Sequence, residues 1–173
     1  MKELLIFLAI IFVGGGLLIG GAIFNWLLVL EFEREIEGFF DYADRSSDAL
    51  TKLDYFNKFI AGIEKHGLTT GKNSMFFQEQ PKASLDDNFK VAKSLQSRLE
   101  AVSKLDPQSF EYSNNMNQIT LQEFCWFPIS VFEQGYLLKK GGWGWAFFPP
   151  DVQNRCITKT TSSGYNMVYD FLD

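Results

Sequence analysis

From Leu4 to Leu30 the chain runs for 27 residues without a charge, and Glu31, Glu33, Arg34, Glu35 and Glu37 follow at once. A helix of that length is about 40 Å long at roughly 1.5 Å per residue. That exceeds the ~30 Å of a bilayer's hydrocarbon core, so residues 1–31 are predicted to be a transmembrane helix. Beyond it the apolar positions are Phe32, Ile36, Phe39, Phe40, Ala43, Leu50, Leu53, Phe56, Ile60 and Ile63. Steps of three and four dominate, which predicts helix with one apolar stripe. The anchor is expected to run straight into this stripe. Asp44 to Asp48 offers several N-caps and marks a kink or a fresh start. Gly67, after His66, is the expected C-terminal stop.

Thr69 to Ala83 is a loop by composition, with Met75, Phe76 and Phe77 as an apolar plug. Ser84 to Asp87 resembles a capping box. The helix it opens carries Leu85, Phe89, Ala92, Leu95, Leu99 and Val102 on one face, close to a heptad seam. Asp106-Pro107 reads as an N-cap with proline at the first helical position. The helix that follows is expected to reach about Phe127, using Phe110, Met116, Ile119, Leu121, Phe124 and Phe127, before Pro128 breaks it. A shorter amphipathic piece covers Ile129 to Leu138 and ends at Lys139-Lys140-Gly141-Gly142. The predicted fold is all-α: the anchor at 1–31, a small helical bundle at 32–142, and an irregular aromatic segment at 143–173. Expected core positions are Ile36, Phe39, Leu53, Ile60, Phe89, Leu95, Leu99, Ile119 and Phe124.

A cleaved signal peptide is the alternative to a retained anchor. Its apolar region spans about 7–15 residues, and this run is far longer. The best small-residue stretch, Gly20-Gly21-Ala22, lies inside it. Lys2 on one flank, and Arg34 and Arg45 in acidic surroundings on the other, give the positive-inside rule little to count. The small leader and large following domain suit a single-pass protein with its N-terminus in the cytoplasm and its bulk extracytoplasmic. Gly16 and Gly20 form a small-xxx-small pair, which lets another helix backbone approach closely in lipid. Glycine is also common in membrane helices without such a role. With Asn25 and Trp26, the pair favours a helix packed against a copy of itself or another membrane subunit.

The net charge of −5 argues against a nucleic-acid partner, because phosphates demand a basic face. Eighteen phenylalanines point to an aromatic core or to extensive contact with protein and lipid. Trp143, Trp145, Phe147 and Phe148, beside Lys139 and Lys140, fit three settings: a lid over the bundle, a protein contact, or the membrane interface. Cys125 and Cys156 belong to no CxxC pair. A disulfide between them is expected in an oxidising compartment, with two free buried thiols as the alternative.

Catalysis finds little support. His66 is the single histidine and reads as a capping cation or surface residue at a helix end. No nucleophile elbow, Walker A or GxGxxG pattern is present, and neither a metal nor another cofactor is implied. Glu31, Glu35 and Glu37, with Glu33 on another side, form an acidic collar at the membrane exit, more often a solvated face than a site. Glu123 and Glu133 flank an apolar segment and are candidates for burial in pairs.

In outline the first 60 residues resemble type IV pilins and pseudopilins, whose long apolar helix runs into an amphipathic half and whose C-terminal loop is often closed by two cysteines. Pilins carry a glutamate at the fifth mature position, where this chain has Leu5 with Glu3 as the nearest acid. The sequence therefore predicts a non-catalytic, membrane-anchored structural or accessory subunit. A pilin-like filament protein and a membrane-anchored sensor bundle are the alternatives.

Overall fold

The computed structural model describes residues 2–71 and 84–142, and the regular elements in them are helical. Helix α1 (Lys2–Phe32) passes through a π-helical turn (Glu33–Glu37) into α2 (Gly38–Arg45). Phe32, Glu37 and Gly38 all keep right-handed helical backbone angles, so the rod is unbroken from Lys2 to Arg45. Its inward positions are Leu28, Phe32, Ile36, Phe40 and Ala43. A strict four-residue step advances around an α-helix by about 40° each time, since 3.6 residues make a turn. The wider i→i+5 turn at Glu33–Glu37 absorbs that drift and holds the stripe on one face.

Ser46 turns extended and ends α2, and the Asp48 carboxylate accepts from the Leu50 and Thr51 amides to start α3 (Ala49–Lys65). The expected break between Asp44 and Asp48 is thus a full reversal. Helix α3 returns along α2 and stops at Gly67, whose φ is 66°. The Leu68 amide donates to Ile63 O at 2.9 Å, closing the last turn. Opposite the π turn, α3 presents Gly62. A Cβ there would stand 3.0 Å from Glu35 O and 3.1 Å from Ile36 Cγ1, so a side chain at this position would require the rod to give by a few tenths of an ångström.

Helix α4 (Leu85–Val102) is capped by Ser84, whose Oγ accepts from Asp87 N at 3.3 Å. The next start differs from expectation. Asp106 accepts from Gln108 N at 3.0 Å in a side-chain turn, and Ser109 caps α5 (Phe110–Gln118). A π-helical stretch (Ile119–Phe124) then extends α5. Phe110 and Leu121, expected inside, are exposed at 86% and 55%. The later start puts Phe110 in the first turn, and the wide turns rotate Leu121 outward. Leu50, expected in the stripe, is likewise 65% exposed in the first turn of α3. After Pro128, α6 (Ile129–Lys139) runs back toward α1 and packs against α1 and α4.

The core is aromatic. The Phe40 ring lies 4.9–5.2 Å between centroids from Phe127, Phe124 and Phe59, within the range where ring pairs attract beyond simple burial. Ile36, Ile60, Leu95, Leu99, Ile119 and Phe124 are buried as predicted; Phe39, Leu53 and Phe89 pack on the core half-buried. An unpredicted core member is Lys52, fully buried. Its ammonium donates to Ala43 O at 2.8 Å and Asp44 O at 3.1 Å, and sits 4.4 Å from the Phe124 centroid. It thereby adds a donor at the last carbonyls of α2, of which Ala43 O also accepts from the Ser46 amide at 3.1 Å, and places positive charge at the negative end of the helix dipole.

Candidate functional site

Below the bundle, α1 has no company among the described residues. Val13, Leu17, Leu18, Ile23, Trp26 and Leu27 are all more than half exposed. Nothing lies within 4 Å of a Cβ placed at Gly14, Gly15, Gly16 or Gly20. This helix is long and apolar enough to cross a membrane. The three residues read together as a packing group are therefore divided. Gly16 and Gly20 face outward. Asn25 and Leu28 meet the end of α6: a Cβ on Gly142 would lie 3.0 Å from Asn25 Oδ1 and 2.9 Å from Leu28 Cδ1. At Gly142 the chain after α6 thus lies directly against α1.

Where α1 leaves its apolar stretch, four elements converge in a polar girdle. The Glu35 carboxylate accepts from Lys65 Nζ at 2.7 Å and meets His66 Nε2 at 2.8 Å. The Lys65 ammonium, then the His66 ring, hold its pKa down at about 2. Glu31 faces Lys140 at 3.4 Å, and Lys139 donates to the Gly67 carbonyl. Lys65, His66, Lys139 and Lys140 thus stand at the C-terminal ends of α3 and α6, where cations complement the helix dipole.

The expected acidic collar is consequently engaged on the bundle side, at Glu31 and Glu35, while Glu33 is exposed. The surface reading of His66 is corrected. It occupies the C-cap position of α3, but its side chain is only 10% exposed, closed off by Glu35 and by the Tyr136 ring at 5.0 Å. Tyr136 is buried between His66 and Phe32. Among the described residues its hydroxyl meets no partner at hydrogen-bonding geometry. Burial, and secondly the nearby Glu31 carboxylate, push its pKa up.

Glu123 is half-buried and ion-paired to Arg98. Cys125 is buried at the end of the α5 extension. Cys156 lies outside the described residues, as do Trp143, Trp145, Phe147 and Phe148. Among the described residues no group of three or more His, Cys, Asp or Glu converges as metal ligands. The girdle carries fixed opposite charges and a largely covered imidazole, an arrangement suited to bracing the helix exit. Its members Glu31 and Lys140 stand 109 positions apart in the chain, a separation for which local sequence holds no signal. No protein-family profile, curated protein or solved structure matches this chain.

Proposed function

We propose that the chain is a non-catalytic, single-pass membrane subunit whose α1 joins it to a larger membrane-associated assembly. The observation that carries this reading is the contrast along one rod. Its upper half buries a stripe in an aromatic bundle, whereas from Val13 to Leu27 it exposes apolar side chains and bare glycine backbone. Apolar surface of that extent is stable only out of water, and lipid meets that need for the large side chains. The glycines gain nothing from lipid; a helix partner lying close on Gly16 and Gly20 gains dispersion contacts there. The girdle and Lys52 set the bundle rigidly on the rod, so that docking of α1 fixes where the bundle points.

In this reading the N-terminus is cytoplasmic and the bundle extracytoplasmic, where oxidation favours a bond between Cys125 and Cys156. The partner is another membrane subunit; a second copy of the chain, as in a pilin-like filament, is the competing occupant. The test is co-purification in mild detergent of the wild-type chain and a Gly16→Leu, Gly20→Leu variant. The reading predicts that the variant loses its companions while the bundle keeps its melting temperature. Companions retained in full would remove the glycine face from the account.

A further inference from the structure

We infer that the foot of the bundle, formed by the C-terminal end of α6 from Lys139 to Gly142, rests in the phospholipid headgroup layer beside α1. The inference depends on the reading of α1 as a membrane span and adds to it a second, separate membrane contact. It is carried by depth. About 20 residues of helix cross the hydrocarbon core, which the uncharged run supplies from Leu4 to Ile23. The remainder, Phe24 to Leu30, rises roughly 10 Å further. That is comparable to the headgroup layer, about 5–7 Å on each side of the core.

Gly142 touches Asn25 and Leu28, within that last stretch and below Glu31. Helix α6 therefore descends along α1 past the first charge of the rod, and its final turn enters the layer that α1 is leaving. The side chains at this level suit a headgroup environment. Asn25 is a polar amide, Trp26 exposes 61% of its surface, and Lys139 and Lys140 are exposed ammonium groups. Indole rings and cations at this depth are the usual occupants of a membrane interface. On the side facing the foot two carboxylates are engaged, Glu35 by Lys65 and His66 and Glu31 by Lys140, while Glu33 is exposed. The opposite end of the bundle, at Leu50, stands roughly 20 Å higher along α3 at 1.5 Å per residue.

The test uses the full chain in vesicles of phosphatidylcholine and phosphatidylglycerol, with a photo-crosslinking benzophenone residue placed singly at position 18, 139 or 50. Lipid adducts at 18 and 139 with none at 50 are expected. An adduct at 18 but not at 139 overturns the foot contact and leaves the membrane span standing. No adduct at 18 overturns the span and the inference with it. An adduct at 50 as strong as that at 139 overturns the foot contact, because the bundle would then lie along the surface.

A second measurement needs no substitution. Water-soluble acylation of Lys139 and Lys140, read by mass spectrometry against Lys58 as internal reference, should fall in these vesicles relative to detergent micelles. Equal labelling in both contradicts the inference.

Discussion

Helix α1 below Asn25 and the same rod above Leu28 form one continuous helix, yet they solve opposite problems. Above, every fourth residue is driven inward: Phe32, Ile36 and Phe40 are fully buried, and charged side chains cover the other faces. Below, apolar residues occupy all faces, and from Val13 to Phe24 no described residue covers them. The charges from Glu31 to Arg45 give the upper half a polar face, and a helix with a polar face has one side for water and one for a core. A helix without one requires a surrounding apolar phase.

The comparison is broken most severely at the centre of the upper half. Phe40→Ala removes the ring against which Phe59, Phe124 and Phe127 pack, and is expected to cost about 3–5 kcal/mol, as large-to-small core changes do. Denaturant unfolding of the detergent-solubilised chain measures it; a loss below 1 kcal/mol, small for such a cavity, would mean that the aromatic cluster is not the keystone. Lys52→Met keeps the buried stem but withdraws the donor from Ala43 O and Asp44 O. An expected loss of about 1–3 kcal/mol follows from leaving buried carbonyls short of a donor, read by the same unfolding experiment.

Gly62→Ala asks whether the wide turn is held by close packing of α3. The added methyl has only backbone and Ile36 to displace, and overpacking of this kind costs about 1–3 kcal/mol. An alanine variant as stable as the parent would show that the approach is incidental.

A smaller effect lies in the girdle and depends on pH. Lys65 and His66 depress the Glu35 pKa from its ordinary 4.5 to about 2. Below pH 4.5 the unfolded chain therefore takes up a proton on Glu35 that the folded chain still refuses. The contribution is complete above the ordinary value and is lost as the pH falls toward about 2. Glu35→Gln should flatten this part of the acid limb of stability and leave its neutral plateau nearly unchanged, because solvent screens an exposed pair. Matching acid limbs in the two chains would remove Glu35 from the bracing of the helix exit.

Much of this architecture was legible because its signals are local. The uncharged run, the caps at Asp48 and Ser84, and the stops at Gly67 and Pro128 each use a few neighbouring residues. Errors arose where register depends on distant packing. The π turn is the answer to a four-residue stripe that must stay in line with α3, and Gly62 and Glu35 that make it possible are far apart in sequence. Lys52 broke the pattern for a similar reason: a lysine in an apolar stripe reads as an interruption until the carbonyls of α2 are seen to end beside it. Likewise, Phe110 and Leu121 fit an ideal helical period, but the later cap at Ser109 and the wide turns after Gln118 carry them to the surface. The girdle was legible only in part. Its acids stood out at the end of the apolar run, whereas Tyr136, Lys139 and Lys140 reach it through the return of α6.

The central claim is that the lower half of α1 lies in a membrane against other subunits. Its most direct test is the native mass, with peptide identification, of the particle extracted in mild detergent. The account predicts a particle much larger than one chain and containing other membrane proteins. A lone monomer, or a polymer made of this chain only, would contradict it.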